Sequence, residues 1–357
     1  MREVRVVLFL IALFLSAGCG PSQAPPDTSP VPEQNRTSVR ITTAGVGSGN
    51  YARVAYWLAD SIIKDDPNVR VWPEYRGNLV GRGFRDGLVR LLDREADVAL
   101  VNSHGVAAMA IKGVGLFDRP IPLKAVAVIP ENDWCVFVVD AALGVRSFAD
   151  LREKKVPLKL ATGYMDGDSA IGFLALELLR RHGIDPEEFK SWGGQFISGG
   201  PNVSRADYES GKADSWFQEA AFPELLGDTL KKRPGSLLTI DPEVARQMEA
   251  ELGVVTISVP ANTYPGQDQP FLALDFSGFI IGVREDMEED LAYRLARIVV
   301  EKREDLDRTM QFGPVRVVAG LNVVAEPYAI DPATAIKTTI PLHPGAIRYY
   351  REKGLMN

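Results

Sequence analysis

The chain has 357 residues, of which 46% are hydrophobic types, and it carries a formal net charge of −7. This length and apolar content can build a large core and suggest two domains of ordinary size. The acidic balance and the lack of a basic cluster argue against nucleic-acid binding. We therefore expect no nucleic-acid partner.

The first residues predict export. Arg2 and Arg5 precede an apolar run from 6 to 15, which is too short to span a bilayer but typical of a signal peptide. The run ends at residues 15–19 in Leu-Ser-Ala-Gly-Cys, which resembles the bacterial lipobox. We therefore expect a signal peptide over 1–18 and a lipid on Cys19 that holds the protein at the extracytoplasmic face of the envelope. Only Cys135 would remain free, so no intramolecular disulfide is expected.

Residues 19–37 include five prolines among small and polar residues, which predicts a disordered tether. From Val39 onward the pattern becomes strand, polar or Gly-rich loop and amphipathic helix, repeated. The expected strands and helices follow in chain order. Strands are predicted at 39–43, 69–75, 98–101, 125–129, 136–139, 159–162, near 190, at 214–217 and at 279–283. Helices are predicted at 51–64, 84–94, 104–112, 147–152, 169–182, 202–209, 288–303 and 343–353.

Such alternation predicts two doubly wound parallel sheets. Because elements remain at the end of the chain, we expect it to leave a first lobe, build a second and return. The predicted boundaries are 38–136 and 276–357 for lobe I, and 137–275 for lobe II. A short echo supports an internal repeat, since Glu-Ala-Asp at 95–97 and Lys-Ala-Asp at 212–214 both lead into a predicted strand.

Ligands of open α/β sheets bind beyond the carboxyl ends of strands, which selects four loops. The first loop offers amides that can approach a ligand closely, although it could merely turn the chain; its candidates are Gly47, Ser48, Gly49, Asn50 and Tyr51. The second offers Asn102 and Ser103, which could instead cap a helix.

The third loop contains the candidates Asp166, Gly167, Asp168 and Ser169, of which Asp168 or Ser169 could cap the following helix. The fourth contains Trp216, Gln218 and Glu219. Trp216 could belong to the core, whereas Gln218 and Glu219 would be costly to bury without partners.

Catalytic patterns are missing from the sequence. The three histidines are His104, His182 and His343, and the position of His182 at the end of a predicted helix suggests a helix-terminal charge rather than a base. No nucleophile elbow, zinc spacing or dinucleotide fingerprint occurs. We expect no catalytic residue, no cofactor and no resident metal.

Five motifs resemble the TAXI family, the solute receptors of tripartite ATP-independent periplasmic (TRAP) transporters. They lie at residues 43–51, 95–103, 147–151, 259–268 and 342–354, in the family's order and over nearly the whole mature chain. The resemblance implies a type II periplasmic-binding-protein fold, with two α/β lobes joined by crossing strands and no catalysis. It also implies a receptor, expected as a monomer, that delivers a small polar metabolite of the amino-acid or organic-acid class to TRAP permease subunits in the membrane. In that family the proline- and glycine-rich motifs near Tyr264 and His343 would be structural.

The sequence departs from this family at two ligand-facing places. Asn50 stands where an aromatic residue is usual, and Asp166 to Ser169 replace a Gly-Ser-Gly-Thr-like loop. Two carboxylates there would repel a ligand carboxylate unless a cation intervened, so we expect a solute with a cationic group or a metal ion that bridges to an acid. Alternatively, Asp168 caps its helix and Asp166 is solvated. Two other functions stay open, a ligand-sensing lipoprotein that acts on a membrane signalling partner and an exported transferase.

Overall fold

The computed structural model describes residues 37–44, 50–76, 83–131, 133–219, 223–309 and 330–357. The predicted signal peptide, Cys19, almost all of the tether, and the loop residues Gly47, Ser48 and Gly49 lie outside these ranges, as do the side chains of Asn50 and Tyr51. The strands are β1 Ser38–Ala44, β2 Arg70–Arg76, β3 Val98–Val101, β4 Leu123–Ile129, β5 Trp134–Asp140, β6 Lys159–Thr162, β7 Gln195–Ser198, β8 Ser215–Glu219, β9 Gly235–Leu238, β10 Thr256–Val259, β11 Phe271–Asp275 and β12 Phe279–Arg284.

The α-helices pack on the faces of the sheets that these strands form. They are α1 Asn50–Asp65, α2 Phe84–Leu92, α3 His104–Lys112, α4 Phe148–Lys154, α5 Ala170–Arg181, α6 Pro186–Ser191, α7 Pro201–Glu209, α8 Pro223–Lys232, α9 Pro242–Leu252, α10 Glu289–Glu301, α11 Arg303–Thr309 and α12 Pro344–Glu352. A 3₁₀ turn, Ala141–Leu143, follows β5. Within the described ranges, no helix combines the length and the apolar character needed to cross a membrane.

The first sheet has the strand order β2-β1-β3-β12-β4. Strand β1 runs parallel to both β2 and β3, whereas β12 lies antiparallel between β3 and β4. All four residues of β3 are buried, as expected for a short central strand that is covered on both faces. We call this sheet and the helices packed on it lobe I.

The second sheet repeats this order with different residues. Strand β6 runs parallel to β7 and β8, and β5 lies antiparallel between β8 and β9, while β11 and β10 extend the sheet beyond β5. We call this sheet and its helices lobe II. The predicted α/β fold with two doubly wound lobes is confirmed, but the sheets are mixed rather than parallel, since each contains antiparallel strands. In the centre of the sheets, the antiparallel strands are β12, beside β3, and β5, beside β8. Each follows directly after a segment that crosses from the other sheet, and therefore runs in the opposite direction to its neighbour.

The sequence echo marks equivalent positions in the two lobes. In lobe I, a carboxylate oxygen of Asp97 accepts a hydrogen bond from the backbone N–H of Arg40 at 2.9 Å, and the Asp97 N–H donates to the Arg40 carbonyl. In lobe II, Asp214 forms the same two bonds with Lys159. Asp97 therefore ties the start of β3 to β1 in lobe I, and Asp214 ties the start of β8 to the start of β6 in lobe II.

Two crossing segments connect the lobes and are hydrogen-bonded to each other. The first lies between β4 and β5 and contains Glu131 and Asp133, and the second lies between β11 and β12. The N–H of Phe276 donates to the Asp133 carbonyl at 3.0 Å, and the N–H of Gly278 donates to the Glu131 carbonyl at 3.1 Å. The predicted joining of two doubly wound lobes by crossing strands is thereby confirmed, and it is the type II arrangement.

One predicted element is wrong in type. The strand expected near Lys190 is helix α6, and the strand follows at Gln195–Ser198. The side chain of Asp185 accepts the N–H groups of Glu187 and Glu188, and Pro186 occupies the first helical turn. An N-cap aspartate followed by proline favours a helix start, and this local signal prevails over the apolar residues that follow.

His182 does not provide a helix-terminal charge. Its ring stacks on Phe148 with centroids 3.8 Å apart, and its Nδ1 lies 2.7 Å from the Leu178 carbonyl. The backbone N–H of Asp241 donates to its Nε2, so the ring is neutral with the proton on Nδ1. Burial lowers the pKa of His182, and the imidazole is a packed core group.

Candidate functional site

The carboxyl ends of the parallel strands carry buried polar residues in both lobes. Thr42 lies near the end of β1, and Thr162 is the last residue of β6. Both side chains are fully buried, and among the described residues neither hydroxyl oxygen has a hydrogen-bond partner. Because an unpaired buried hydroxyl is unfavourable, these strand ends are places where a bound molecule could supply the missing partner.

A narrow cavity lies at this end of lobe I. Its volume is about 10 Å³, room for about one water molecule. Its walls combine residues from the ends of β1 and β3 with the start of α2, including Thr42, Asn102, Gly83 and Gly87. Asn102 and Ser103 are both buried. Ser103 occupies the N-cap position of α3, yet its hydroxyl makes no capping bond, so the capping alternative does not describe its side chain.

Asp168 connects the two lobes. It lies in the loop between β6 and α5 in lobe II, and its carboxylate accepts hydrogen bonds from the backbone N–H groups of Gly83, Arg85 and Asp86, the last two at 3.1 and 2.9 Å. These groups form the first turn of α2 in lobe I, where a negative charge is favourable. Asp168 therefore caps a helix, but one in the opposite lobe rather than its own.

Three other candidates in this loop, Ser169, Asp166 and Gly167, shape the loop and the start of α5. The Ser169 hydroxyl caps α5 by accepting the Gly172 N–H at 3.4 Å. One carboxylate oxygen of Asp166 accepts the N–H groups of Asp168 and Ser169, and Gly167 adopts a positive φ of 78° that suits the tight turn. The structure therefore brings Asp168 next to the lobe I cavity through Gly83, while Asp166 shapes the loop.

The three candidates on β8 separate onto two faces. Trp216 and Gln218 point toward α7, where Trp216 stacks with Tyr208 at 6.4 Å and Gln218 Nε2 donates to Ser204 Oγ at 3.4 Å. Both side chains are almost fully buried. These two residues lie in the interior of lobe II, as the core alternative for Trp216 proposed.

Glu219 lies on the other face at the carboxyl end of β8, directly opposite Cys135 of β5. It is 9% exposed, and among the described residues its Oε1 has no hydrogen-bond partner. Burial, and then the negative charge of Glu131 in the first crossing segment, raise the pKa of Glu219 to about 8. Glu131 itself is only 4% exposed.

Further acids surround this point. Burial raises the pKa of the Cys135 thiol, and the charges of Asp133, Glu219 and Asp275 raise it further. Glu131, Asp133, Glu219 and Asp275 all lie on or beside the crossing segments. Of these four acids, only Glu219 was predicted from the sequence as a site residue. The other three could have been found because each carboxylate lies at or next to the end of an apolar strand.

The motif near Tyr264 forms a separate feature. Gln267 Oε1 accepts the N–H groups of Thr263 and Tyr264, and the Tyr264 hydroxyl accepts a bond from Trp134 Nε1 at 3.0 Å. A wide groove of about 550 Å³ lies between this loop and α8. These bonds hold the loop in place, in agreement with the structural role expected for the motif. His343 likewise caps α12 by accepting the Gly345 N–H.

The described ranges contain no group of three or more His, Cys, Asp or Glu side chains arranged to hold a metal ion. The strand ends of lobe I carry the neutral hydrogen-bonding groups of Thr42 and Asn102, and the buried carboxyl groups of Glu131 and Glu219 lie beside lobe II. This combination can bind a small polar molecule.

Comparison with known proteins adds a family and distant structural likenesses. A model of the NMT1-like family matches residues 41–354. A protein of Bordetella bronchiseptica RB50 is similar in structure with a TM-score of 0.47 and 12% identity, covering 89% of this chain and 98% of its own. PhnD1 from Prochlorococcus marinus, solved with methylphosphonate, has a TM-score of 0.47 and 14% identity over 90% of this chain and all of its own. MatC from Rhodopseudomonas palustris, solved with malate, has a TM-score of 0.46 and 12% identity over 77% of this chain and 87% of its own.

Proposed function

Because the chain belongs to the NMT1-like family, we propose that it is an extracytoplasmic solute-binding receptor that holds one small polar solute between its two lobes. One observation carries the proposal. The two sheets share a strand order and are joined by hydrogen-bonded crossing segments, and buried polar atoms without partners lie at the carboxyl ends of the strands. Ligands of α/β sheets bind at such ends, and a two-lobed receptor encloses its ligand by closing around a hinge.

Within this receptor, we assign the two moving bodies to the predicted lobes, 38–136 with 276–357 and 137–275, except that residues 134–136 move with the second body because they begin β5 of the lobe II sheet. Lobe I would offer backbone amides of Gly47, Ser48 and Gly49 and the neutral groups of Asn50, Tyr51, Asn102 and Ser103. Such amides and hydroxyls suit a carboxylate. Lobe II would contribute Glu219, while Asp168 would stabilise the closed form through its bonds to α2.

The five TAXI-like motifs support a finer assignment. The receptor would deliver an amino acid or organic acid to TRAP permease subunits, and a lipid on Cys19 would hold it at the membrane. Replacement of Cys19 by alanine is then expected to move the protein from the membrane fraction to the soluble fraction of cells. The melting temperature (Tm) of the folded part should not change, because the proline-rich segment separates Cys19 from it. Continued membrane retention of the Cys19→Ala variant would contradict the anchor.

A thermal-shift screen tests the receptor function. A solute that binds the folded but not the unfolded chain raises Tm with concentration, by roughly 2.7 kcal/mol of stabilisation at a hundredfold excess over Kd. We expect at least one amino acid or organic acid to raise Tm in this saturable way. If neither the screen nor mass spectrometry of natively purified protein yields a solute, the receptor function is wrong.

A further inference from the structure

Helix α3 of lobe I packs closely against the end of α9 in lobe II. Small residues on both sides let the two backbones approach each other. A Cβ atom added to Gly105 would lie 3.0 Å from Cγ2 of Val254, and one added to Gly253 would lie 2.6 Å from the Cβ atom of Ala108. Neither glycine therefore leaves room for a side chain unless the neighbouring lobe moves.

This contact adjoins the second crossing segment. His104, the first residue of α3, lies against Gly278, since a Cβ atom added to Gly278 would be 3.3 Å from its Nε2. On the lobe II side, the Val255 carbonyl accepts the N–H of Asp275 at 3.0 Å, just before that segment. At the far end of α3, Lys112 Nζ donates to a backbone carbonyl of α9 at 3.3 Å. The contact therefore begins beside the crossing segment and continues along the whole of α3.

A continuous apolar core includes both helices. It reaches the sheet of each lobe, at Val101 of β3 and at Leu160 of β6. Its members from α3 and α9 are all at most 5% exposed, and they include Val106, Ala107, Met109, Val244, Met248 and Leu252. Because apolar side chains are stabilised by their removal from water, separating the two helices would be unfavourable. A rotation of the lobes that keeps α3 on α9 avoids this loss.

The contact that Asp168 makes between the lobes is of a different kind. Its half-buried carboxylate accepts backbone N–H groups at the start of α2. Hydrogen bonds of this type can be exchanged for bonds to water at a small net cost. When the lobes part, the polar contact of Asp168 is thus the one that can open, whereas the apolar contact between α3 and α9 is the one that resists opening.

We propose that the contact between α3 and α9 is a pivot, which stays packed in the open and in the closed form. The lobes rotate about it while the bonds between Asp168 and α2 form and break. This inference goes beyond the proposed receptor function, although it rests on the lobe movement that the function requires. The alternative is a latch, in which α3 and α9 touch only in the closed form.

A disulfide between the two helices separates a pivot from a latch. In the double variant Gly105→Cys, Val254→Cys, the two Cβ atoms would lie 3.5 Å apart, within the range that a disulfide spans. With Cys19→Ala added, the other thiol of the chain is that of Cys135, which is buried. We expect mild oxidation without solute to form the disulfide in most molecules, as measured by the loss of free thiols.

Small-angle X-ray scattering of the oxidised, solute-free double variant then gives the decisive comparison. We expect its profile to match that of the reduced protein and to stay more extended than the arrangement in which Asp168 caps α2. An oxidised profile that matches this compact arrangement would overturn the pivot. Failure of the folded double variant to form the disulfide without solute would also overturn it, because the helices would then be apart.

Ala108→Leu provides a second test that needs no oxidation. Ala108 is 6% exposed and faces Gly253, so a leucine there wedges α3 away from α9. Because a pivot is packed even in the open form, we expect the Tm of the solute-free receptor to fall by about 3–8 °C. Ala250→Leu makes the same change at an exposed position on α9 and is the matched control, with Tm within about 1 °C of the wild type.

The outcomes separate this inference from the receptor function. An unchanged Tm for solute-free Ala108→Leu indicates a latch, overturns the pivot and leaves solute binding intact. A thermal-shift screen that yields no solute removes the receptor function, whereas both tests of the pivot are read on the protein without solute. A lower Tm for Ala108→Leu together with an extended profile for the oxidised double variant is the result that supports the pivot.

Discussion

The two lobes share a strand order but differ at both ends of their central strands. At the amino end, Asp97 of lobe I accepts bonds from Arg40 and Arg284 side chains, whereas its equivalent Asp214 in lobe II is tied to the backbone of Lys159. At the carboxyl end, counting from these aspartates, Asn102 of lobe I corresponds to Glu219 of lobe II. The repeated pattern therefore builds the same scaffold twice, while the lobes present different chemistry to a solute.

The pKa values of the two aspartates move in opposite directions. Burial alone would raise the pKa of Asp97, but the bonds from Arg40 and then from Arg284 lower it below the usual value. Burial raises the pKa of Asp214, and the bond from the Lys159 N–H offsets this only in part. Equivalent residues thus have opposite effects on stability as pH changes.

The largest expected effect comes from substituting these aspartates. Asp97→Asn leaves two arginines without their carboxylate, so we expect it to lower the free energy of unfolding by about 2–4 kcal/mol. Burial disfavours the charge of Asp214, and an asparagine there can still accept the Lys159 N–H, so Asp214→Asn should change the free energy of unfolding by less than about 1 kcal/mol. Urea denaturation of both variants at pH 7 measures the difference. Equal losses would show that the lobes use this position alike.

The pH dependence of stability tests the same pair of aspartates, Asp97 and Asp214. Because the folded pKa of Asp97 lies below the unfolded value of about 3.9, its contribution is present above that pH and is lost as pH falls through the folded pKa. The folded pKa of Asp214 is raised, so its contribution decreases as pH rises from about 3.9 through the folded pKa. Asp97→Asn should therefore flatten the acid limb of a Tm profile measured from pH 2 to 7, and Asp214→Asn should steepen it. Profiles that change in the same direction would contradict the assignment.

The next largest effect is expected for Glu219, at the carboxyl end of β8. With its pKa raised to about 8, Glu219 binds a proton more tightly in the folded than in the unfolded chain, so stability falls as pH rises from about 4.3 through 8. Glu219→Gln removes this loss. Without solute, the variant should exceed the wild type in stability at pH 9 by roughly 1–3 kcal/mol and match it more closely at pH 5. A constant difference across this range would mean that Glu219 is ionised in the folded protein.

The smallest effect concerns the contact between the lobes. Asp168→Asn retains an acceptor at the start of α2 but removes its charge, so we expect about a 3- to 10-fold faster dissociation of the bound solute. Asp166→Asn changes a neighbouring carboxylate that accepts the N–H groups of Asp168 and Ser169 and is not seen to cap α2, and it serves as the comparison. Stopped-flow measurement of solute release compares the two variants. Equal rates would remove Asp168 from the account of closure.

The sequence predicted those parts of the fold that local pattern determines. Strands Val98–Val101 and Lys159–Thr162 were predicted at their observed bounds, because short apolar runs between polar loops identify buried parallel strands. The direction of β5 and β12 could not be predicted this way, because it depends on how the crossing segments enter the opposite sheets. Local pattern also misassigned α6, where an aspartate and a proline outweigh the apolar residues after them.

The candidate site shows the same limit. Asp168 was expected either to meet a ligand or to cap its own helix, yet its partners lie 82 to 85 residues away in lobe I. Glu219 was found because it ends a strand, but its neighbour Glu131 precedes it by 88 positions in the chain and becomes adjacent only when β5 pairs with β8. Contacts made by tertiary pairing leave no periodic signal in the sequence.

Closure of the two lobes over a solute is the central claim, and small-angle X-ray scattering with and without a saturating solute tests it most directly. The solute is the one that the thermal-shift screen identifies. We predict a smaller radius of gyration in its presence, with a profile that matches the arrangement in which Asp168 caps α2, and a more extended profile in its absence. Identical profiles in the two conditions, with the solute demonstrably bound, would contradict the account.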